Sequence, residues 1–306
     1  MEPKKILVVY FTQSGQMLTT ARKFCESFAS DTTYSIVYEE LKPVNAYPFP
    51  WSAFTFFNGF PEAFYEKPIA LQPYSDKLND KYDLIILAYQ PWFLTPSPVF
   101  SSFLQSQAGK KVLNGTKVVT LIGCRNMWLG AQEKVKKRLI AAGASLIANI
   151  ALVDKSPNVV SVITILRWML WGKKEKFWVF PAAGVSEDDV NATVQYGQII
   201  KDALENNLWD GMQQKLNDKG AVEILPDLVM MESRGQRAFG IWSKFIGGAP
   251  IGSFSRKLRV YIFMILLPTA IFILSPLLAI LSFLMLTLKK DELMRDVNYF
   301  KTNGLR

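Results

Sequence analysis

The chain of 306 residues carries a formal net charge of +9, is 50% hydrophobic and 13% aromatic, and contains no histidine. This length suits one large domain, or one domain with an appendage, and the hydrophobic content excludes a mostly disordered protein. The lack of histidine excludes serine–histidine and cysteine–histidine dyads and removes the commonest transition-metal ligand, so no metal site is expected. Cys25 and Cys124 are too few for a disulfide framework, and we expect a reducing compartment.

The position of the basic residues indicates which kind of partner the positively charged chain binds. A strongly positive chain is expected to meet nucleic acid or an anionic membrane surface. The sequence shows no zinc knuckle and no aromatic RNA-binding signature. Instead, Arg256, Lys257 and Arg259 precede a long apolar segment, and Lys289 and Lys290 follow it. We therefore expect a membrane as the partner and no nucleic acid.

Strand-like and helix-like patterns alternate through the first half of the chain, which predicts a parallel sheet with helices on both faces. The run 82–89 is almost entirely apolar, as expected for a strand buried on both faces. Gly143 is expected to cap a helix within 126–143, and Ser186 and Asp189 predict a capping box that opens a last helix over 187–204. The five predicted strands are 5–11, 33–40, 82–89, 116–123 and 144–153.

Two insertions interrupt this alternation, at about 41–80 and 153–181. The first is long and rich in proline and aromatic residues. It either wraps its aromatic side chains onto the core or covers a hydrophobic substrate, since loops of this length are often functional. The second contains the apolar block 159–171, which is too short to span a bilayer. This block could be part of the hydrophobic core, a lid over the site or a patch that faces a membrane, and we favour the core.

The C-terminal part of the chain contains the strongest membrane signal. Residues 260–288 carry no charge, and as one helix these 29 residues would be about 44 Å long, beyond the roughly 30 Å of a hydrocarbon core. Pro268 and Pro276 are expected to kink or break that helix. One tilted span, a re-entrant hairpin and a buried soluble hairpin remain open. The predicted organisation is a domain over 1–205, a helical or linker region over 206–257, a membrane-associated segment over 258–290 and a polar tail over 291–306.

Three loops leave the carboxyl ends of predicted strands, where open α/β sheets bind ligands. The first reads "TQSGQML", residues 12–18. The hydroxyls of Thr12 and Ser14, the free backbone N–H groups and the dipole of the following helix suit a monophosphate. Gly15 is the only glycine, so neither a dinucleotide fingerprint nor a Walker loop fits. Ordinary helix capping is the alternative.

The other two loops carry aromatic side chains. The loop 89–98 is stiffened by proline and contains Trp92 and Phe93, while the loop 123–128 contains Gly123, where backbone can approach a ligand, and Trp128. A phosphate cradle followed by two aromatic loops suits a ligand with a phosphate tail and a planar ring, which points to FMN. The residues predicted to bind this cofactor are Thr12, Gln13, Ser14, Gly15, Gln16, Met17, Gln90, Pro91, Trp92, Phe93, Gly123, Cys124, Asn126 and Trp128.

Residues 1–152 resemble the flavodoxin fold family, with Thr12-Gln13-Ser14-Gly15 as its phosphate loop. The resemblance implies a doubly wound five-stranded parallel sheet that binds FMN. The last threonine of the family's loop is absent, because Met17 stands in its place. Thr19 or Thr20 is a candidate to supply the missing hydroxyl.

A closer resemblance, over nearly the whole chain, is to the bacterial family labelled dialkylresorcinol condensing enzyme, found beside flexirubin and aryl polyene biosynthesis. The stretches that carry it are "AYPFPW" (46–51), "AYQPWFLTPSP" (88–98), "VVTLIGCRNMW" (118–128), "AQEK" (131–134) and "FPAAGVSE" (180–187). The resemblance implies a flavin-dependent aromatase that oxidises a 2,5-dialkylcyclohexane-1,3-dione to a 2,5-dialkylresorcinol. A ketosynthase-type partner would make the carbon–carbon bond.

Two residues on the predicted loops are candidates for the chemistry. Tyr89 is expected to relay a proton and Arg125 to stabilise an enolate or the reduced flavin, with packing and capping as the structural alternatives. Cys124 is expected to pack rather than to act as a redox centre. A substrate with two alkyl chains is lipid-like, so the apolar insertions and the C-terminal segment predict a location at the cytoplasmic face of the bacterial inner membrane.

Two other functions fit the sequence. A membrane-associated NAD(P)H:quinone oxidoreductase of the flavodoxin-like class would use the same pockets, because quinones are flat and apolar. A flavin-free protein that serves as a membrane scaffold for a condensing enzyme is the second alternative, and Met17 is the residue that favours it. Oligomeric state is left open.

Overall fold

The computed structural model describes residues 2–288 and 290–306, with the backbone alone over 274–288. Its centre is a five-stranded parallel sheet in the order β2-β1-β3-β6-β7. A two-stranded antiparallel hairpin, β4-β5, follows the end of β3. The strands are β1 (Lys4–Tyr10), β2 (Tyr34–Glu40), β3 (Leu84–Tyr89), β4 (Pro91–Trp92), β5 (Thr95–Pro96), β6 (Lys117–Cys124) and β7 (Ser145–Val153).

The predicted fold class, a doubly wound parallel sheet with helices on both faces, is confirmed. All residues of β3 are buried, because this central strand is covered on both faces. On one face α1 packs against α8, and on the other lie α4, α5 and α6. The helices are α1 (Gln16–Ala29), α2 (Ala53–Asn58), α3 (Phe60–Phe64), α4 (Pro98–Gln105), α5 (Gln107–Leu113), α6 (Leu129–Ala141), α7 (Asn158–Trp171), α8 (Glu187–Asn206), α9 (Met212–Asn217), α10 (Pro226–Gly247), α11 (Phe254–Leu288) and α12 (Lys290–Phe300).

Local signals in the sequence explain where several helices begin and end. The Ser186 side chain accepts a hydrogen bond from the Asp189 N–H at 3.1 Å and donates to Asp189 Oδ2 at 2.7 Å, so Ser186 is the N-cap of α8 and the predicted start of this helix is confirmed. Gly143 adopts φ +74°, the left-handed conformation expected after α6. Both features depend on residues close in the chain, which is why the sequence reveals them.

The region 206–257, predicted as helical or linker, packs onto the central domain. Helix α9 lies against β7, and α10 contacts α3, α6, α11 and α12. A separate apolar cluster, formed by Phe57, Phe60, Ile246, Val260 and Phe263, joins α2 and α3 to α10 and α11. These contacts place the first half of α11 beside the first insertion.

A buried ion pair holds the start of α11 in place. Arg256 is only 2% exposed, and its guanidinium donates to Glu62 Oε2 at 2.6 Å and to the Asn58 carbonyl at 2.7 Å. Glu62 is 23% exposed, so breaking the pair is expected to cost less than the about 3–5 kcal/mol of a fully buried ion pair. The insertion 41–80 and the C-terminal helix are therefore fixed to each other.

The structure tests the prediction for the apolar block 159–171 but not the one for segment 258–290. The preference for core in the block 159–171 is wrong: this block forms α7, in which only Ser161, Val162 and Thr164 are buried. Among the described residues, no helix combines the length and apolar character needed to cross a membrane. The segment 258–290 lies in part outside the described residues, so its membrane association stays a prediction.

Candidate functional site

The three predicted loops meet at one edge of the sheet. Strand β1 ends at Tyr10, β3 at Tyr89 and β6 at Cys124, and the parallel register aligns Tyr10 with Ala88 and Tyr89 with Ile122. Because the carboxyl ends of parallel strands face the same way, the loops that follow lie side by side. The topology therefore brings together segments more than a hundred residues apart in the chain.

These loops surround a cavity of about 380 Å³. Of the predicted site residues, it is lined by Thr12, Gln13, Ser14, Gln16, Met17, Gln90, Pro91, Trp92, Phe93, Gly123, Cys124 and Arg125. Gly15, Tyr89, Asn126 and Trp128 do not line it. The volume lies in the range typical of small-molecule and cofactor sites, which are largely apolar with a few convergent polar groups.

The polar end of the cavity lies at the start of α1. Gly15 precedes this helix with φ +86°, a conformation that glycine adopts without strain, and no side chain caps the helix. Thr12 and Ser14 line the cavity, and neither hydroxyl has a hydrogen-bond partner among the described residues. Two free hydroxyls next to the uncapped N-terminus of a fourteen-residue helix form a suitable site for a phosphate.

The suggestion that Thr19 or Thr20 replaces the missing hydroxyl is wrong. The Thr19 hydroxyl donates to the Gly15 carbonyl at 3.2 Å, and the Thr20 hydroxyl donates to the Gln16 carbonyl at 2.9 Å. Both side chains bond back to their own helix, as threonine often does there. The cradle therefore has two hydroxyls, from Thr12 and Ser14.

Met17 and Gly123 contact each other within the cavity wall. Gly123 was expected to let its backbone approach a ligand, but a Cβ atom at this position would lie 2.5 Å from Met17 Sδ. The methionine thioether thus fills the space beside the glycine. Met17 is 4% exposed and is part of the hydrophobic core.

Two glutamines connect the first loop to distant segments of the chain. Gln13 donates to the Pro48 carbonyl at 3.1 Å and accepts from the indole N–H of Trp51 at 3.0 Å. Gln16 donates to the Val185 carbonyl at 2.9 Å. The first insertion is therefore anchored on the first loop through Gln13, while Gln16 connects this loop to Val185, which follows the second insertion.

The loop after β3 contributes an unpaired polar group. Within the part of the chain that the structure describes, the buried Oε1 atom of Gln90 has no hydrogen-bond partner, although Gln90 lines the cavity. Leaving a buried acceptor unpaired costs about 1–3 kcal/mol, so such an atom in a cavity wall is expected to meet a donor on a ligand. Phe93 and Leu94 next to it adopt φ +51° and +64°, strained values for residues with side chains.

The loop after β6 contributes a positively charged side chain, Arg125, to the cavity wall. Arg125 donates to Asn158 at the start of α7, 2.5 Å from its Oδ1 atom and 3.3 Å from its carbonyl oxygen. Burial lowers the pKa of the Arg125 guanidinium below its ordinary range. Asn126 donates to the same Asn158 Oδ1 at 3.0 Å, while its own buried Oδ1 atom has no partner among the residues described.

The structure contradicts the prediction that Tyr89 relays a proton in the site. Its side chain is fully buried and stacks on Phe100, with the ring centroids 4.6 Å apart. The hydroxyl donates to Gln132 Oε1 at 2.8 Å, and Gln132 in turn donates to Thr120. Burial raises the pKa of Tyr89 well above 10. Tyr89 at the end of β3 points into the core, and Gln90 is the residue that faces the cavity.

Two further predicted residues are structural. Trp128 is 2% exposed and packs in the core at the start of α6, so it does not contact a ligand in the cavity. Cys124 lines the cavity, and its thiol lies 3.7 Å from the Leu152 carbonyl. Burial raises the pKa of Cys124, which keeps the thiol protonated and agrees with a packing role.

Residues from the insertions and the C-terminal helices complete the cavity, and the sequence did not single them out as site residues. Helix α7 covers one side, and α10 and α11 close another. Four of the sequence stretches quoted above contain some of these residues: Phe49 and Trp51 lie in 46–51, Leu94 in 88–98, Met127 in 118–128 and Gly184 in 180–187. The additional lining residues are Phe49, Trp51, Phe56, Phe57, Leu94, Met127, Val162, Ile165, Leu166, Trp168, Met169, Gly184, Phe239, Leu267, Pro268 and Ile271.

A buried carboxylate of α10 bonds to the start of α6, directly after the third loop. Glu232 is 3% exposed and accepts from the N–H groups of Leu129 and Gly130 at 3.1 and 2.7 Å. It thereby caps α6, which lacks a local side-chain cap. Burial raises the pKa of Glu232 to about 7 from its ordinary 4.5, although the backbone N–H groups act in the opposite direction.

The strand order and the cavity at the carboxyl ends of the strands define a flavodoxin-like α/β protein. This order is equivalent to 2-1-3-4-5 when only the strands of the large sheet are counted. The bound ligand in that fold lies beside the switch in strand order, next to β1 and β3. The cavity of this protein lies at the same point.

No family model and no curated protein matches the sequence. Among solved structures, the chain is similar to a flavoprotein from Lactobacillus acidophilus NCFM in complex with FMN, at 16% identity and a TM-score of 0.38, over 48% of this chain and 93% of that one. It is also similar to the two-electron reduced flavodoxin of Megasphaera elsdenii, at 15% identity and a TM-score of 0.31, over 50% and 89%. These TM-scores are low, so the fold is assigned from the strand order.

Proposed function

We propose that the cavity binds FMN and that this protein is an FMN-dependent oxidoreductase for an apolar, ring-containing substrate. The observation that carries the proposal is that one cavity joins a phosphate cradle to an apolar chamber. Thr12 and Ser14 line one end with unpaired hydroxyls, while aromatic and aliphatic side chains of the insertions and of α7, α10 and α11 line the rest. A phosphorylated cofactor and an apolar substrate fit together in this arrangement.

The residues present suit each part of FMN. Thr12, Ser14 and the first N–H groups of α1 would hold the phosphate. Trp92 and Trp168, which line the cavity, offer flat surfaces to a planar ring. The unpaired Gln90 Oε1 atom would accept a hydrogen bond from the polar edge of that ring. The fit thus accounts for an atom that is otherwise left without a partner.

We propose further that the reaction is the aromatase step, the oxidation of a 2,5-dialkylcyclohexane-1,3-dione to a 2,5-dialkylresorcinol. The dione loses a hydride and a proton from adjacent ring carbons, and enolisation then gives the aromatic diol. Bound FMN supplies the two-electron acceptor, and dioxygen or a quinone would serve as the terminal oxidant. Arg125, which lines the cavity, would stabilise the enolate electrostatically.

The apolar chamber favours a lipid-like substrate. Leu267, Pro268 and Ile271 of α11 line the cavity together with Ile165 and Leu166 of α7. Alkyl chains on the substrate would lie among these side chains, because burial of apolar surface is favourable. We propose that segment 258–290 holds the protein at the cytoplasmic face of the inner membrane, and that a ketosynthase-type partner supplies the dione.

Absorption spectroscopy tests the proposal. Purified protein, reconstituted with FMN, is expected to show the spectrum of bound oxidised flavin. Under anaerobic conditions a long-chain 2,5-dialkylcyclohexane-1,3-dione is expected to bleach it, and Arg125→Gln is expected to slow the bleaching with the affinity for FMN retained.

Each other outcome contradicts part of the proposal. Bleaching by NADPH with turnover of an added quinone, and none by the dione, identifies a quinone reductase. Failure to bind FMN at all removes the oxidoreductase and favours the scaffold function.

A further inference from the structure

We propose that the turn at Trp178 and Val179 inserts into an anionic lipid surface, next to the cavity. This turn is the tip of the loop 172–181, called here the tryptophan loop, which follows α7. Trp178 is 92% exposed, Val179 75% and Trp171, at the end of α7, 64%. Large apolar side chains grouped at this level of exposure indicate an interaction surface.

The tryptophan loop holds its tip in a defined shape. The N–H of Phe177 donates to the Phe180 carbonyl at 3.0 Å, and the N–H of Phe180 donates back at 2.8 Å. The two phenylalanine rings stack, with centroids 5.0 Å apart. Trp178 has φ +49°, a strained value for a large side chain. The loop therefore holds Trp178 and Val179 in solvent despite a conformational cost in the backbone. Such a cost is typical of residues that contact a partner.

The tryptophan loop is attached to the helix that covers the cavity. Arg167 of α7 donates to the carbonyls of Lys173 and Glu175 at 3.1 and 2.8 Å, and its guanidinium lies 4.3 Å from the centre of the Phe177 ring. In the sequence, the loop lies between Trp168 and Gly184, and both of these residues line the cavity. An insertion of the tip would therefore place the cavity next to the lipid.

The charge of the loop favours an anionic lipid surface over a neutral one. Lys173 and Lys176 are exposed, and the Lys174 ammonium lies 5.4 Å from the centre of the Trp168 ring. The loop has a single carboxylate, Glu175, which is paired with Arg167 at 2.7 Å. Tryptophan flanked by lysine is typical of segments that bind at the headgroup level of anionic membranes.

Helix α11, which also lines the cavity, shows the same apolar character. On α11, Leu267 and Ile271 line the cavity, while Ile265 and Ile273 are 67% and 60% exposed. A lipid surface in contact with both α11 and the tryptophan loop would border the chamber on two sides. This inference deepens the proposed function, since it gives an apolar substrate a route to the chamber, but its test requires no flavin.

The experiment places an environment-sensitive nitrobenzoxadiazole fluorophore at the tip. The full chain is labelled at Val179→Cys, and at Lys81→Cys as the control, because Lys81 is exposed and lies before β3 at the opposite edge of the sheet. Unsubstituted protein, treated in the same way, corrects for labelling at Cys25 and Cys124. Each sample is mixed with vesicles of phosphatidylcholine alone or of phosphatidylcholine with phosphatidylglycerol.

With anionic vesicles, the fluorophore at position 179 is expected to shift to the blue and to be quenched by spin-labelled lipid, while the one at position 81 is unchanged. Lys173→Ala with Lys176→Ala is expected to weaken the response at 179. If the protein sediments with the vesicles and position 179 responds no more than position 81, the tip faces water or a protein partner and the proposal is overturned. An equal response to both kinds of vesicle also overturns it. Neither result depends on whether the protein binds FMN.

Discussion

The thioether sulfur of Met17 lies 2.5 Å from the position that a Cβ atom on Gly123 would occupy. Met17 belongs to the first turn of α1, and Gly123 lies near the end of β6. The contact therefore connects the phosphate loop with the third loop of the site. The Met17 side chain occupies the space that the lack of a side chain at Gly123 leaves.

The first prediction follows from this contact. Gly123→Ala is expected to lower the free energy of unfolding by about 1–3 kcal/mol, because the new methyl group overlaps the Met17 side chain. Met17→Ala is expected to cost about 2–5 kcal/mol through the cavity that it leaves. In the double variant the new methyl group enters that cavity. The loss of unfolding free energy in the double variant should therefore be smaller than the sum of the losses in the two single variants. Urea unfolding measures all three, and additivity within about 0.5 kcal/mol would show that the contact is absent.

The second prediction concerns the phosphate cradle. Thr12→Val and Ser14→Ala are each expected to weaken FMN binding about tenfold, since a hydrogen bond to a charged group contributes about 1.5–3 kcal/mol. Quenching of flavin fluorescence measures the affinity. Thr19→Ala is the matched control: it removes a hydroxyl from the first turn of α1, just after the loop, but that hydroxyl donates to the Gly15 carbonyl and does not line the cavity. If Thr19→Ala weakens binding as much as Ser14→Ala does, the cradle is placed wrongly.

The third prediction separates stability from activity at Tyr89. Tyr89→Phe leaves Gln132 Oε1 without its donor in the core, so the free energy of unfolding is expected to fall by about 1–3 kcal/mol. FMN affinity and the rate of flavin bleaching per folded molecule are expected to stay the same. Tyr82→Phe is the control, because its hydroxyl donates to the Lys77 carbonyl nearer the surface. A loss of bleaching rate with unchanged stability would restore the catalytic role of Tyr89.

The fourth prediction is a dependence of stability on pH from Glu232. Its pKa is about 7 in the folded protein and 4.5 ordinarily, so between these values the unfolded chain loses a proton that the folded protein keeps. The contribution of Glu232 to stability is therefore fully present below pH 4.5 and is lost as the pH rises through about 7. Over this window the loss amounts to about 3 kcal/mol.

Glu232→Gln tests this dependence, because the amide does not titrate. The difference in unfolding free energy between the unsubstituted protein and the variant is expected to shrink as the pH rises through the window. Glu223→Gln, which changes the same group at an exposed position, serves as the control. A difference that stays constant with pH would mean that Glu232 is ionised throughout.

The sequence predicted the site loops better than the individual residues on them. The alternation of strands and helices located the three loops, and most of the predicted cofactor residues line the cavity. Tyr89 was assigned to the site because it lies at the end of a strand. Residues alternate in direction along a strand, and only the packing of Phe100 and Gln132 shows that Tyr89 points into the core.

By itself, the sequence determined the α/β class, the five strands of the large sheet, the helix caps at Gly143 and Ser186 and the positions of the three loops at the carboxyl ends of the strands. These features depend on short-range patterns, namely apolar runs, turn residues and backbone conformations that few residues adopt. The tertiary structure alone decided that α7 covers the cavity, that Met17 fills the space beside Gly123 and that Glu232 caps a helix 102 residues away in the chain. Those contacts depend on how distant segments pack together, and no local pattern encodes which segments will meet.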